Sequence, residues 1–417
     1  MTNRRCHMSL STHQQNLAKI AVAIGVNLQA GQKLVINAPA ECAEFARAIA
    51  KAAFERGAGD VSVKYSDEHV ARMRYDHAST ETLTKVPAWH IDRLKSMVDD
   101  GDAVISIHAE DPDVMSGVEA EKVKAAAVAL NKAAMPYHDA IINNRIRWCV
   151  IAVPTVGWAK KVFPDLPDAD AVSALWDAII KASRVEGDDP VANWQAHNDS
   201  FNAKSDFLNN HQFKAFHYQS KNGTDLEVGM PEGYIFTGGA EAAEDGVIFF
   251  PNIPTEEVFS APHKDKVNGT LVSSHPLVYN GQLIDGFRFT FKDGHVTDFH
   301  ADVGEEALKS LVNATEGSDQ LGEIALVPFH SPISEMNILF YNTLFDENAS
   351  CHFALGSAYP TCIAQGTEMN EEELKAAGLN VSATHVDFMV GTEDLSITGI
   401  MADGTEIPVF ENGDWAI

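Results

Sequence analysis

Two side chains that can bind a metal ion lie two residues apart in the strand-like segment 383–390. His385 and Asp387 flank Val386 in this segment. Because successive side chains of a β-strand point to opposite faces, the imidazole and the carboxylate are predicted to share one face. Such a pair can hold one metal ion or bracket two. The structural alternative is a histidine that only forms an ion pair with its neighbour.

A second candidate segment covers residues 346–359 and is predicted to form a helix. At about 100° per residue, His352 and Tyr359 fall on the same helical face, so that both can contribute to one site. Glu347 must then reach the site from the first turn of this helix. A carboxylate in a first turn can equally do no more than interact with the helix dipole.

Further carboxylates lie in two other segments. Glu323 precedes the apolar run 324–328, and the adjacent Glu256 and Glu257 follow Pro254. The structural alternative for Glu323 is an acid at a strand end that faces solvent. For Glu256 and Glu257 it is a pair of acids in the first turn of a helix. Counting one acid of the Glu256 and Glu257 pair, the candidate ligands are four carboxylates and two imidazoles, with no cysteine among them. This mixture is expected for two divalent metal ions, which lie about 3.5 to 4 Å apart in dinuclear hydrolases.

These segments resemble the aminopeptidase T and aminopeptidase S family of dinuclear metallo-aminopeptidases. The motifs that carry the resemblance are PTEEVF at 254–259, GEIALVP at 322–328, TLFDENASCH at 343–352 and HVD at 385–387. Their order and spacing also agree with the family. The resemblance extends from about residue 252 to the C-terminus, and over the first 190 residues it is limited to the rhythm of helices and strands.

The resemblance implies a dinuclear metal site, with Glu323 bridging the two ions and Tyr359 as a catalytic tyrosine. The implied metal ligands are Glu257, Glu323, Glu347, His352, His385 and Asp387. It also implies a homodimer that removes N-terminal residues from short peptides with a free N-terminus. The expected ions are zinc or cobalt, with magnesium or manganese as alternatives.

The hypothesis for the mechanism is hydrolysis by a water or hydroxide that two ions share, with one ion polarising the scissile carbonyl. Tyr359 would donate a hydrogen bond to the oxyanion. The general base would be Glu256, the non-ligand acid nearest in sequence, or Glu323 through its free oxygen. If Glu256 lay in the middle of a strand, its side chain would point away from that of Glu257.

Two other functions remain open on sequence alone. A mononuclear iron oxygenase would use His352, His385 and Asp387, because two histidines and one carboxylate bind iron in such enzymes. That function leaves the three glutamates among the implied ligands unexplained. A non-catalytic protein that binds peptides or metal ions would use the same acidic cluster.

The elements that must position these residues differ between the two halves of the chain. Helical and strand patterns alternate in the first half, which predicts a mainly parallel sheet with helices on its faces. The predicted helices cover 15–28, 40–56, 116–134 and 169–183, and the predicted strands cover 33–36, 60–65, 103–108 and 148–154. No glycine-rich phosphate-binding motif follows any of these strands, which disfavours a nucleotide-binding role.

The second half is predicted to be β-rich with an α+β composition. Asn-Gly and Asp-Gly pairs predict tight turns at 222–223, 268–269, 280–281, 285–286, 293–294 and 403–404. Helices are predicted at 304–313, 346–359 and 371–377. The polar segment 186–190 predicts a domain boundary. It gives an α/β domain at 1–188 and a catalytic, metal-binding domain at 189–417.

Composition limits the partners and the cell compartment. The 417 residues include 31 Lys and Arg against 59 Asp and Glu, and the net charge of −28 disfavours nucleic acids and anionic membrane surfaces. The five cysteines are scattered, with no pair spaced to bind zinc. No apolar stretch is long enough to cross a membrane, and the N-terminus does not resemble a signal peptide. We therefore expect a cytoplasmic protein.

Overall fold

The computed structural model describes residues 10–279 and 282–417. The α-helices are α1 Thr12–Ile20, α2 Ala43–Glu55, α3 Glu68–His77, α4 Thr80–Leu83, α5 Ala88–Asp100, α6 Ala120–Ala133, α7 Met135–Ile142, α8 Val156–Val162, α9 Asp168–Ala182, α10 Pro190–His211, α11 Glu305–Val312, α12 Thr343–Asp346 and α13 Glu371–Ala376. A π-helical segment covers Ala21–Gly25, and 3-10 turns cover Ala40–Cys42, Ser334–Met336, Glu347–Ala349, Pro360–Cys362 and Gly366–Glu368.

The strands lie mostly in the second half of the chain. They are β1 Lys33–Pro39, β2 Asp60–Ser66, β3 Ala103–His108, β4 Trp148–Ala152, β5 Ala215–Gln219, β6 Asp225–Gly229, β7 Glu241–Ala242, β8 Ile248–Phe249, β9 Val258–Ser260, β10 Val267–Val272, β11 Leu277–Tyr279, β12 Gln282–Lys292, β13 His295–Val303, β14 Leu321–Leu326, β15 His352–Gly356, β16 His385–Met389, β17 Ser396–Ile400, β18 Glu406–Glu411 and β19 Asp414–Trp415.

The first four strands form a parallel sheet in the order β2-β1-β3-β4. Helices connect each strand to the next. Parallel pairing requires such connections, because the chain must return to the end of the sheet at which the previous strand began. In α2, the buried Phe45, Ala46 and Ile49 follow the spacing of an amphipathic helix. The α/β architecture predicted for the first half is therefore confirmed.

The second half contains two antiparallel sheets. The larger runs β11-β12-β10-β6-β5-β17-β18-β19, with β13 also paired to β12, and the smaller runs β16-β15-β14-β9. Alternate residues of β12, namely Phe287, Phe289 and Phe291, are buried in one apolar core. This period of two is the pattern of a strand with one face in the core. The prediction of a β-rich half is confirmed.

The predicted turns are correct at three places and wrong at two. Residues 222–223, 293–294 and 403–404 connect β5 to β6, β12 to β13 and β17 to β18. The pairs 268–269 and 285–286 instead lie inside β10 and β12. Gly269 has φ +122°, and a Cβ atom there would collide with the backbone oxygen of Asp225 on the neighbouring strand. This glycine permits close approach of two strands rather than a turn. The pair 280–281 lies outside the described residues.

The predicted helix at 346–359 is wrong. Helix α12 ends at Asp346, a 3-10 turn covers Glu347–Ala349, and the chain then forms β15. All five residues of β15 are buried, and the strand pairs with β14 on one side and β16 on the other. A central strand is fixed by hydrogen bonds to both neighbours, which outweigh its local helix propensity.

The chain divides into two compact units. One combines the residues up to His197 with Ala240–Pro254 and Leu339–Asn342, and the other combines Asn198–Gly239, Thr255–Ile338 and Thr343–Ile417. The chain first passes from one unit to the other between His197 and Asn198, within helix α10. The domain limits 1–188 and 189–417 stay predictions. Among the described helices, none has both the length and the apolar character needed to span a bilayer.

Candidate metal centre

The smaller antiparallel sheet, β16-β15-β14-β9, places the candidate ligands on one of its faces. Register pairs Glu323 with Ala354, and Ala354 with Asp387, across β14, β15 and β16. Paired residues of antiparallel strands share a face, as do residues two apart, so His352 and His385 belong to this face as well. Ala354, between the two carboxylates, has a small side chain that leaves space above the sheet. The opposite face carries side chains such as Phe353 and Phe388, which are buried in the apolar core.

On β16, the predicted pair lies as the alternation requires. His385 Nε2 is 3.2 Å from Asp387 Oδ1. His385 Nδ1 is 2.7 Å from the backbone oxygen of Ser357. Because a carbonyl oxygen only accepts hydrogen bonds, Nδ1 must donate, and a neutral ring then presents the lone pair of Nε2 to the cluster. Metal-binding histidines are commonly oriented in this way.

Glu323 occupies the interior of β14, a strand whose six residues are all buried. Only 5% of its surface is exposed, so it is not an acid at a solvent-facing strand end. Its Oε1 lies 3.5 Å from His352 Nε2, and its Oε2 lies 3.5 Å from His385 Nε2. Each oxygen of this single carboxylate therefore faces a different histidine.

His352 begins β15 and is 1% exposed. Its Nδ1 donates to the backbone oxygen of Ser350 at 3.1 Å, which again leaves Nε2 for the cluster. This Nε2 lies 3.2 Å from Oε2 of Glu257. Glu257 directly precedes β9 and lies outside any helix, so the alternative of first-turn helical acids does not hold.

These side chains form two groups that could each hold an ion. One group is Glu257, Glu323 and His352, and the other is Glu323, His385 and Asp387, with ligand atoms within 4.8 Å of one another in each. Two ligands at about 2.0 to 2.2 Å from one tetrahedral ion are roughly 3.3 to 3.6 Å apart. The observed separations of 3.2 to 3.5 Å agree with this spacing.

Glu347 and Tyr359 come from turns beside the sheet. Glu347 belongs to neither group, but burial and then the charges of Glu257 and Asp387 raise its pKa well above the usual value. The ring of Tyr359 is 5.0 Å from that of His385, and 44% of the residue is exposed. Tyr359 and His352 therefore lie near one cluster without sharing a helical face, contrary to the sequence-based argument.

Glu256 and Cys351 lie outside both groups. Glu256 is 4% exposed, and its backbone N–H donates to Asn348 Oδ1 at 2.7 Å. The Cys351 thiol accepts a hydrogen bond from the backbone N–H of Val327 at 3.3 Å and donates to its oxygen at 3.2 Å. Its hydrogen-bonding atoms are thus engaged by the backbone.

The electrostatics of the cluster suit a bound cation. Burial raises the pKa of Glu323, and His352 only partly offsets this effect. Burial lowers the pKa of His385, but Asp387 and Glu323 outweigh burial and raise that pKa to about 9. Asp387 Oδ1 is buried and makes no hydrogen bond with the described residues, although His385 Nε2 lies 3.2 Å away. Buried carboxylates of like charge are costly without positive charge, so the donor set fits divalent ions.

Asn348 contributes to the site although no sequence pattern predicted it. This side chain is fully buried, accepts the N–H of Glu256 and donates to the oxygen of Leu344 at 3.0 Å. It links the loop that carries Glu257 to the turn that carries Glu347. Its position between Glu347 and His352 in the motif at 343–352 is the one available signal. The carbonyl groups that orient the histidines leave no trace in sequence.

The comparisons with known proteins agree over almost the whole chain. The thermophilic metalloprotease (M29) family matches residues 11–415. Aminopeptidase 2 of Geobacillus stearothermophilus is 46% identical over 399 residues, covering 96% of both chains. Aminopeptidase AmpS of Bacillus subtilis is 44% identical over 408 residues, covering 98% of this chain and 99% of that protein.

A solved structure supports the same assignment. Wild-type AmpT from Thermus thermophilus has a TM-score of 0.91 at 38% identity, covering 97% of this chain and 99% of that one. Its fold therefore agrees with the parallel and antiparallel sheets described above. Agreement in sequence family, in full-length relatives and in fold shows that the chain belongs to the M29 metalloprotease family and is a metallo-aminopeptidase.

Proposed function

We propose that this enzyme removes the N-terminal residue of short peptides at a dinuclear metal centre. The observation that carries the proposal is the position of Glu323, whose two oxygens face two different histidines. A carboxylate in this position suits the bridge between two ions. The proposed ligands are those that the sequence resemblance implied, Glu257, Glu323, Glu347, His352, His385 and Asp387.

The mixture of carboxylate and imidazole ligands is compatible with several divalent ions. Zinc or cobalt is proposed, with magnesium or manganese as alternatives. Two such ions, when bound, would polarise the scissile carbonyl and lower the pKa of a shared water towards about 7, so that it can attack. The protein supplies the negative charge that holds the ions and the hydrogen bonds that orient the histidines.

The excess of carboxylates also suits the substrate. A peptide with a free N-terminus carries a positive α-ammonium group, which a carboxylate of the cluster can bind as a charge-assisted hydrogen bond. An N-acetylated peptide has neither the charge nor these donors. This interaction would restrict cleavage to the first peptide bond.

Tyr359 is proposed to donate a hydrogen bond to the oxyanion of the tetrahedral intermediate. Although 44% of the residue is exposed, desolvation of the hydroxyl, followed by the charges of Glu323 and Asp387, raises its pKa. A tyrosine hydroxyl is already protonated at neutral pH, and the raised pKa extends to higher pH the range in which it can donate. Hydrogen bonds of this kind contribute roughly 2.7 to 4 kcal/mol of transition-state stabilisation.

The general base is proposed to be Glu256, with Glu323 as the alternative. Both oxygens of Glu323 face histidines of the two ligand groups and are proposed to bind the two ions, whereas Glu256 belongs to neither group. A Glu256→Gln enzyme should therefore lose most of its kcat while its metal content stays unchanged. Full kcat in this variant would instead transfer the role to Glu323.

The rival functions explain less of the cluster. An iron oxygenase would need His352, His385 and Asp387 around one ion, but His352 belongs to one ligand group and the other two belong to the second. A non-catalytic binding protein gives no role to Tyr359. Both rivals also lack support from the metalloprotease family match. The homodimer and the cytoplasmic location stay predictions.

The proposal is tested by hydrolysis of aminoacyl-p-nitroanilides beside their N-acetylated counterparts. Metal-stripped protein would be reconstituted separately with zinc, cobalt, manganese or magnesium. We expect release of p-nitroaniline only from substrates with a free amine, and only after metal is restored. Equal cleavage of acetylated substrates, or full activity in the stripped protein, would overturn the proposal.

A further inference from the structure

A second site is indicated by a cavity whose lining residues all belong to the first unit, whereas the candidate metal ligands belong to the second. The cavity has a volume of about 240 Å³ and is lined by residues from β1, β2, α5, α6 and α7. It therefore lies beside the parallel sheet. In parallel α/β sheets, ligands commonly bind near the carboxyl ends of the strands, where the order reverses. The order β2-β1-β3-β4 has such a reversal beside β1.

A row of polar residues crosses the sheet at this cavity. Register pairs Lys64 of β2 with Asn37 of β1, and Asn37 with Ser106 of β3. The three side chains therefore share one face, and Asn37 Nδ2 donates to Ser106 Oγ at 3.2 Å. Lys64 and Asn37 line the cavity. The neighbouring residues towards the start of β1 and β3 are buried and apolar, so the polar row interrupts the core.

Helix α5 brings cationic groups to the same cavity. Its lining residues are His90, Arg93, Leu94 and Met97, the spacing of a single helical face. Met97 at the C-terminal end of this face is buried in an apolar cluster with Val35. Nearer the start of the helix, the side chains on this face that line the cavity are instead the imidazole of His90 and the guanidinium of Arg93.

Lys64 and Arg93, the two cationic groups, have no anionic partner among the described residues. Like the neighbouring imidazole of His90, they make no ion pair and no side-chain hydrogen bond there, in a chain with a net charge of −28. Burial and then the charge of Arg93 lower the pKa of Lys64. Burial, followed by Lys64 and Arg93, lowers the pKa of His90. Lysine and arginine side chains placed together and partly desolvated repel each other unless an anion lies between them.

Much of the remaining cavity wall is apolar, and Ser66, Asn131 and His138 are its other polar residues. Leu94, Met97, Leu130 and Ala134 contribute hydrocarbon surface, and Tyr137 contributes a ring with an adjacent hydroxyl. Pockets with an apolar wall and a few convergent polar groups are typical of small-molecule sites. The volume is below the roughly 300 Å³ at which such pockets usually begin, so the occupant must be small.

We propose that this cavity binds a small organic anion, with its carboxylate or phosphate head between Lys64 and Arg93 and a short hydrocarbon body against Leu94. A planar guanidinium binds either head group through two parallel hydrogen bonds. Asn37 adds an amide beside the head. The site is separate from the proposed peptidase chemistry and does not depend on it.

The test is isothermal titration calorimetry of the metal-loaded enzyme at constant ionic strength. The probes are inorganic phosphate, 4-methylpentanoate and the neutral 4-methylpentan-1-ol. We expect saturable binding of at least one anion and none of the alcohol, and the stronger anion identifies the head group. Arg93→Gln and Lys64→Gln should each weaken this binding by about tenfold or more.

Lys95→Gln is the matched control, because it removes one positive charge from an exposed position of the same helix. It should leave the affinity unchanged. Anions bound at the metal centre would remain in all three variants, so the proposal predicts that one binding step is lost in Arg93→Gln and in Lys64→Gln. A titration that is unchanged from wild type in both variants overturns the proposal. If those variants fail to fold, diffraction from wild-type crystals soaked with the bound anion decides, and an empty cavity overturns the proposal.

Discussion

At the scale of the residue, the account depends on the carboxylate of Glu323. A charged group inside a buried strand is unfavourable unless opposite charges surround it. Strand alternation predicted that His385 and Asp387 share a face, and family resemblance supplied Glu323 as a ligand. Neither could predict that the two Glu323 oxygens face different histidines, because that arrangement depends on the pairing of β14 with β15 and of β15 with β16.

Replacing Glu323 should affect metal binding more than replacing a ligand of one group. Glu323→Gln is expected to lower bound metal below one ion per chain and activity by about 100-fold or more, because both ligand groups lose a member. Glu257→Gln should mainly affect one ion. Bound metal is measured by plasma mass spectrometry. The exposed Glu316→Gln serves as control, and a Glu323→Gln enzyme that keeps its full metal content would refute the bridging role.

Replacing Tyr359 should affect turnover without affecting metal. Tyr359→Phe removes the proposed oxyanion donor, so kcat should fall by about 10² to 10³ while the metal content stays the same. Steady-state kinetics with a leucine p-nitroanilide would measure the change. Tyr65→Phe is a control of similar exposure, 45% against 44%. Wild-type turnover in Tyr359→Phe would exclude the donor role.

At the scale of the element, sequence patterns predicted strands β14 and β16 but not β15. The segments around Glu323 and His385 carry the apolar run and the alternation of strands. The segment 346–359 has local spacing compatible with a helix, and its true form is fixed by partners on both sides, which are distant in sequence. His352 and Tyr359 were identified by resemblance and by type, and the helical argument for their proximity was wrong.

The loop before β9 and the turn before β15 depend on Asn348. Asn348→Ala leaves the buried N–H of Glu256 without its acceptor, so we expect a loss of about 1 to 3 kcal/mol in the free energy of unfolding. Metal affinity should fall too, because Glu257 and Glu347 are no longer held together. Denaturant unfolding and metal titration would measure both effects.

Asn313→Ala is the matched control for this substitution. Asn313 also donates to the oxygen four residues before it, at 2.7 Å, but is exposed. Its loss should cost no more than about 0.5 kcal/mol. Equal effects of the two substitutions would show that Asn348 does not link the two segments.

At the scale of the whole molecule, composition predicted little beyond the classes it excludes. A net charge of −28 fits a protein that binds cations, but it says nothing about where they bind. The alternation of helices and strands predicted the parallel sheet of the first half, and the turn signals predicted a β-rich second half. The cationic cavity beside the parallel sheet was not predicted, because its residues come from separate segments without a common motif.

Removing metal should destabilise the whole chain. Ions that bind only the native state stabilise it by about 2.7 to 4.1 kcal/mol at free concentrations of 100 to 1,000 times Kd. A chelator should therefore lower the Tm of the wild type. The Glu323→Gln variant should show little further decrease. An identical Tm with and without chelator would contradict a metal site built into the fold.

The dinuclear centre is best tested by a titration of metal-stripped protein with zinc or cobalt, in which bound ions per chain and peptidase activity are followed together. We expect saturation at two ions per chain, with full activity reached only when both are bound. Saturation at a single ion with full activity would contradict the dinuclear centre and the bridging position of Glu323.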